Sequence, residues 1–152
     1  MNIKNIINSI TKTEDSFSAL PLRLIAGVVF AAHGAQKLFA WFGGYGLDGT
    51  GQWMESIGIA PGYLMALMAG SAEFFGGLLL IAGFLTRPTS FVLAITMIVA
   101  ILSVHIGNGM FMSNNGYEFG LSLLAITLAL FIQGGGKHSI DNNVYRTLNK
   151  NA

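Results

Sequence analysis

The most constraining feature of the sequence is a series of four long apolar runs, separated by short polar or glycine-rich segments. These runs occupy residues 19–41, 61–84, 88–108 and 117–133. A membrane-crossing α-helix needs about 20 mostly apolar residues, and hydrocarbon requires each spanning segment to satisfy its own backbone polar groups. The sequence therefore predicts an all-α, polytopic membrane protein, folded as one antiparallel bundle of four transmembrane helices.

Composition supports this class and excludes others. Hydrophobic residues make up 53% of the chain and charged residues only 10%, against about 25% charged in an ordinary soluble domain. The formal net charge is +1, so the chain lacks the basic field that attracts nucleic acid, and no nucleic-acid partner is predicted. There are no cysteines, which excludes disulfides, thiolate nucleophiles and thiolate-bound metal clusters.

Lysine and arginine are unevenly placed along the chain. The loops 42–60 and 109–116 contain neither residue, whereas the two termini, the start of the first run and the turn between the second and third runs contain several. These cations are Lys4, Lys12, Arg23, Arg87, Lys137, Arg146 and Lys150. Because cytoplasmic segments carry an excess of Lys and Arg, both termini of this multi-pass protein are predicted to be cytoplasmic.

The segments outside the apolar runs have weaker patterns. Residues 1–18 have isoleucines at helical spacing, which favours a short amphipathic helix on the cytoplasmic membrane surface; a disordered tail is the alternative. Residues 19–136 form the predicted transmembrane domain, and residues 137–152 a cytoplasmic tail. Residues 50–59 suit either a short interfacial helix or a plain connector.

Five ionisable side chains interrupt the apolar runs, and they are distributed over all four predicted helices. They are His33, Lys37, Glu73, His105 and Glu118. At about 1.5 Å of rise per residue, they fall between the middle of the bilayer and its outer boundary. Such groups persist mainly where they are paired or face a polar cavity, so they are predicted to line an outward-facing pocket for a ligand or for protons. The alternative is a structural network that fixes helix register.

Other polar residues of the runs receive structural roles. Gln36 lies beside the polar stripe of the first helix, and Asn108 shares a face with the histidine of the third. Arg23, near the inner boundary, is expected to extend its guanidinium group toward lipid phosphates. Small residues surround Glu73 at helical spacing, which predicts that its carboxylate points into the bundle. The two histidines have no second ligand at metal-binding spacing, so no metal site is predicted and haem is disfavoured.

Several short motifs, in this order along the chain, resemble the DoxX family of bacterial membrane proteins. They are Arg-Leu-Ile-Ala-Gly from Arg23, His-Gly-Ala-Gln-Lys-Leu from His33, Gly-Gly-Tyr-Gly-Leu from Gly43, Ala-Glu-Phe-Phe-Gly-Gly from Ala72, Gly-Tyr-Glu from Gly116, and the Gly-Gly-Gly-Lys-His-Ser-Ile-Asp ending. The resemblance implies a four-helix inner-membrane protein with a respiratory or redox association, including links to quinone-dependent sulfur oxidation. The resemblance also implies that Asp141 is one of the polar positions that recur in the family. A structural role is expected for that residue.

Three functions remain open from the sequence. The first is a redox-associated subunit that binds a quinone or a similar small apolar ligand, with Lys37 as an electrostatic clamp on the ring oxygens and a histidine or carboxylic acid as proton donor. Because the chain has no nucleotide-binding motif and no thiol, electrons would come from a redox partner protein or from a cofactor; a homo-oligomer is a further association to consider. The second is a non-enzymatic membrane scaffold or assembly factor. The third is a small-solute transporter, although no inverted repeat or broken helix is evident.

Overall fold

The computed structural model describes residues 3–150, and every regular element in that range is helical. The helices are α1 Ile3–Thr11, α2 Ala19–Phe39, α3 Gly46–Ser56, α4 Gly62–Ala82, α5 Thr86–Ala100, α6 Glu118–Gln133 and α7 Ile140–Asn149. Helix α5 continues into a π-helical segment, Ile101–His105, and a 3₁₀ turn, Ile106–Asn108. Two further 3₁₀ turns, Trp41–Gly43 and Met112–Asn114, lie in the connections. The all-α prediction is confirmed.

Three of the described helices are long and apolar enough to cross a membrane. They are Ala19–Phe39, Gly62–Ala82 and Thr86–Asn108. The fourth predicted span corresponds to α6, an apolar helix of 16 residues. At 1.5 Å of rise per residue α6 is about 24 Å long, which is shorter than a hydrocarbon core of about 30 Å. Spanning length is therefore confirmed for three of the four predicted crossings.

The outward faces of α2, α4, α5 and α6 are apolar, as lipid contact requires. Large hydrophobic side chains on these faces are more than a third exposed; they include Leu24, Ile25, Val28, Met68, Phe75, Leu78, Val92, Ile95, Val99, Leu128, Phe131 and Ile132. A soluble protein rarely exposes contiguous apolar surface on this scale, because water contact with it is unfavourable. The surface therefore suits a bilayer.

Helices α2 and α4 pack backbone to backbone because glycines meet at their contact. A Cβ atom built on Gly27 would lie 2.8 Å from the carbonyl oxygen of Gly77, and Gly34 faces the backbone of α4 near Phe74 in the same way. Helix α4 also contacts α5, α5 contacts α6, and α6 contacts α2. The small residues around Glu73 thus serve close helix packing, and Glu73 is buried, as predicted.

The turn between α4 and α5 is tight. Helix α4 ends at Ala82, and Gly83 takes a left-handed conformation with φ of 66°, which glycine adopts without steric cost. Leu85 is also left-handed, and α5 begins at Thr86 with Pro88 in its first turn, where a missing N–H does no harm. Helix α6 ends as predicted at the glycine run, where Gly134 has a φ of 79°.

The two ends of the helix assembly differ in character. The terminal end, as we call it, holds α1, α7 and the α4–α5 turn; the loop end holds α3 and the loop 109–117. At the terminal end α1 packs against α7, and the side-chain amides of Asn8 and Asn149 hydrogen-bond to each other. A helix rather than a disordered segment therefore forms over Ile3–Thr11, and the segment predicted as a tail contains α7. At the loop end, a helix rather than a plain connector forms over Gly46–Ser56.

Arg23 does not extend toward lipid, so that expectation is wrong. Its side chain is buried at the terminal end, with 1% of the residue exposed. Its Nη2 donates to the carbonyl oxygen of His138 at 2.6 Å. Its Nη1 donates to the carbonyl oxygens of Leu80 and Ile81 at 3.3 and 3.4 Å. The physical reason is that the C-terminal segment folds back over the end of α2 and provides a protein acceptor where lipid phosphate was expected.

Asp141 also has a structural position, as expected. Its two carboxylate oxygens accept hydrogen bonds from the backbone N–H groups of Leu85 and Thr86, each at 2.8 Å. Its own N–H donates to the carbonyl oxygen of Gly83 at 3.0 Å. The C-terminal segment thereby holds the α4–α5 turn.

Candidate functional site

A cavity of about 1170 Å³ lies at the loop end, among α2, α4, α5 and α6, with α3 contributing to its wall. Its lining is mostly apolar, and four of the five ionisable residues predicted to share a pocket contribute to it: His33, Lys37, Glu73 and His105. Ligand sites commonly combine an apolar wall with a few polar groups that fix orientation. The cavity is the natural candidate site.

The polar centre of the cavity is an ion pair between α2 and α4. Lys37 Nζ lies 2.5 Å from Glu73 Oε2; the Glu73 side chain is 6% exposed and that of Lys37 is 23% exposed. The close approach depends on Gly70, one turn before Glu73, because a Cβ atom there would lie 3.2 Å from Lys37 Cβ. Pairing explains how two charges are tolerated at this depth. Within the described part of the chain Lys37 donates only to Glu73, so its remaining N–H groups are available to a ligand.

The imidazole of His33 lies on the same face of α2 as Lys37, one turn earlier, and lines the cavity. Its ring centroid is 6.1 Å from that of Phe119 on α6. Gln36 also lines the cavity, and its side-chain amide donates to the carbonyl oxygen of Phe42 at 3.3 Å. Helix α2 therefore contributes a cation, an imidazole and an amide to one wall.

His105 closes the π-helical segment of α5, and its ring lies at the cavity wall. Its Nδ1 is 2.9 Å from the carbonyl oxygen of Asn115. Since a carbonyl oxygen only accepts, Nδ1 carries the proton, and in the neutral ring Nε2 is left as an acceptor. Asn108 donates to the same oxygen at 3.3 Å and to that of Val104 at 3.0 Å, the structural role expected for it. Single-turn π segments within α-helices are frequent at functional sites.

Glu118 is not part of the cavity lining. It is the first residue of α6, and its Oε1 accepts a hydrogen bond from the backbone N–H of Met112 at 2.6 Å. Its carboxylate thus turns back over the loop 109–117, while Phe119 and Gly120 next to it line the cavity. A carboxylate in a first helical turn is favoured near unpaired N–H groups, which accounts for this placement.

Sequence reasoning missed the contribution of α3. Thr50, Trp53 and Met54 all line the cavity. The helical spacing of Trp53 and Ile57 was the available signal, and it could not show which face of α3 would turn inward. The chemistry that results is a buried ion pair and two imidazoles on the wall of a largely apolar chamber.

Comparison with known proteins identifies the family of the chain. The family model described as DoxX matches residues 18–106, more than half of the chain. The chain is similar to "Putative oxidoreductase CatD" of Bacillus subtilis, with 37% identity over 73% of this chain and 76% of that protein. It is similar to "Inner membrane protein YqjF" of Escherichia coli, with 36% identity over 91% of this chain and 97% of that protein. It also resembles an uncharacterized protein of Haemophilus influenzae at 32% identity over 92% and 99% of the two chains.

No solved structure matches the chain significantly. The family match, the inner-membrane relative and the three helices of spanning length all indicate residence in the inner membrane. This multi-pass membrane protein belongs to the DoxX family.

Proposed function

We propose that this chain is a redox-associated subunit of the inner membrane that binds a quinone, or a similar small apolar ligand with ring oxygens, in the cavity. The observation that carries the proposal is the Lys37–Glu73 ion pair on the wall of an otherwise apolar chamber. Helix packing alone would be served as well by apolar side chains, since a buried ion pair adds little net stability. A charged pair beside an open cavity is better suited to orienting a polar ligand head.

The proposed chemistry assigns roles to three side chains. The ammonium of Lys37 donates to a ring oxygen and stabilises negative charge that develops there, and Glu73 holds the ammonium in place. His33, one turn from Lys37, is within the same cavity and donates or accepts a proton. Electrons come from a partner protein, and the name of the Bacillus subtilis relative as an oxidoreductase supports a redox context.

The proposed topology has four crossings, with both termini cytoplasmic and the cavity in the outer half of the bilayer. The cations of the termini and of the α4–α5 turn cluster at the terminal end, whereas the stretch 42–60 and the loop 109–116 at the other end contain no Lys or Arg. Helix α6, although short, crosses where the bilayer thins locally around it.

The test is quinone binding by the purified protein in detergent, with ubiquinone-0 as the probe. Lys37→Gln and Glu73→Gln are expected to weaken binding at least tenfold, since the first removes the ammonium donor and the second removes the negative charge that holds the ammonium in place. Glu118→Gln is the matched control, because that carboxylate lies outside the cavity lining and its amide replacement still accepts from Met112. Unchanged binding by folded Lys37→Gln and Glu73→Gln variants would contradict the proposal and favour a scaffold with a structural polar core.

A further inference from the structure

We infer that the ligand carries a long apolar chain, and that this chain lies in a slot between α4 and α5 that opens sideways into the lipid. The inference rests on the proposed function and deepens it, because it names a membrane-dissolved, chain-bearing ligand rather than a water-soluble one.

The slot begins where α4 and α5 separate. Near their connecting turn the two helices are in contact, since a Cβ atom on Gly76 would lie 3.2 Å from Leu93 Cδ2. Beyond that contact, toward the loop end, side chains of both helices line the cavity, including Met68 and Ala72 of α4 and Ile95 of α5. The cavity therefore extends between the two helices.

Several of these lining residues are also exposed on the outside of the molecule. Met68 is 58% exposed, Ile95 is 46% exposed and Val99 is 50% exposed. Residues of two neighbouring helices that both line the cavity and remain about half exposed mark the place where we infer that the cavity opens to the surroundings. Both helices are of membrane-spanning length and composition at these positions, so the opening faces lipid rather than water.

The dimensions of the slot suit a chain. The lining residues of α5 extend from Val92 to Ala100, which is about 12 Å along the helix axis at 1.5 Å per residue, and Ser103 of the π-helical segment continues the lining. The cavity volume of about 1170 Å³ also exceeds the range of about 300–1,000 Å³ that is usual for drug-sized ligands. A quinone ring beside Lys37 would leave the slot unfilled, whereas an isoprenoid or alkyl chain attached to the ring would occupy it.

The test compares two ligands that share one ring and differ only in the chain: ubiquinone-0 and decylubiquinone. Binding is measured with the full-length protein in phosphatidylcholine nanodiscs. Ile95→Trp fills the slot and is expected to weaken decylubiquinone binding at least tenfold while changing ubiquinone-0 binding less than twofold. Ile98→Trp is the matched control, because Ile98 is on the same helix, is 43% exposed and does not line the cavity.

Each other outcome has a definite meaning. If Ile95→Trp leaves decylubiquinone binding unchanged, or weakens both ligands equally, the slot is overturned while the proposed function stands. If the wild-type protein binds neither ligand, the proposed function fails and the inference fails with it. A decyl analogue with a diazirine at its chain end provides a test without substitution: labelling of α4 and α5 around Met68, Ile95 and Val99 supports the slot, and labelling confined to α3 or α6 overturns it.

Discussion

Asp141 of α7 caps the N-terminus of α5, with its Oδ2 accepting the N–H of Thr86 at 2.8 Å. The residue at the usual capping position, Leu85, has no side-chain acceptor. The cap is therefore provided by Asp141, which is 55 positions after Thr86 in the chain. A carboxylate at this place satisfies N–H groups that the helix leaves unpaired and interacts favourably with the helix dipole.

Replacement of Asp141 by alanine is expected to destabilise the protein by about 2–3 kcal/mol, because it removes the cap and leaves buried N–H groups unpaired. Asp141→Asn, which keeps one acceptor oxygen, is expected to cost less. The measurement is thermal unfolding in detergent. Asp15→Ala is the control, because Asp15 forms a largely exposed ion pair with Arg146, and such pairs contribute little. Equal stability of Asp141→Ala and the wild type would contradict the assigned cap.

The Lys37–Glu73 pair is expected to respond asymmetrically to the loss of either partner. Lys37→Met leaves the carboxylate of Glu73, which is 6% exposed, without its partner and is expected to cost about 3 kcal/mol. Glu73→Met leaves a lysine that is 23% exposed and can reach the open cavity, so a smaller loss is expected. The double variant Lys37→Met/Glu73→Met is expected to recover most of the stability. Denaturant unfolding of all four proteins checks this, and strictly additive losses would contradict it.

The contact between α2 and α4 leaves no room for a larger side chain at Gly27. A Cβ atom there already meets Ile81 Cγ1 at 2.7 Å and the Gly77 carbonyl oxygen at 2.8 Å, so Gly27→Leu forces α2 and α4 apart. The expected loss is about 1–3 kcal/mol, as for other overpacked sites. The same change at Gly107, where nothing lies within 4 Å, is the control and is expected to have little effect on the thermal midpoint.

The proposed topology can be tested cleanly because the chain contains no cysteine. Asn114→Cys at the loop end and Asn143→Cys at the terminal end are matched changes at exposed positions. A membrane-impermeant thiol reagent added to intact spheroplasts is expected to label only the Asn114→Cys variant. The Asn143→Cys variant is expected to be labelled only after lysis. Labelling of both from the same side would show that α6 does not cross the bilayer.

Much of the helical framework could be predicted from the sequence because its signals are local. The apolar runs, Pro88 and the glycine run at Gly134 each act within a few residues, and the ends of α2, α4 and α6 lie within about two residues of the predicted ones. The burial of Glu73 followed from small neighbours at helical spacing. These features depend on backbone sterics and hydrophobic periodicity.

Other features depend on contacts between distant segments and could not be predicted. Arg23 was expected in lipid headgroups because nothing near it in sequence indicates that the carbonyl of His138 returns to meet it. Glu118 was expected in the pocket, but its carboxylate accepts from the N–H of Met112, because the loop before α6 folds back toward it. The π-helical segment that ends at His105 likewise could not be recognised, because no residue pattern within an apolar run marks such a segment.

The cap that Asp141 provides determines when the α4–α5 hairpin can be stabilised during synthesis. Helices α4 and α5 leave the ribosome before residue 141 does, so their hairpin is made with the first turn of α5 still lacking its anchor. A chain that stops before residue 141 would keep α2, α4, α5 and α6 and yet form a hairpin without this anchor. Quality-control proteases are thus expected to distinguish copies that contain residue 141 from copies that lack it.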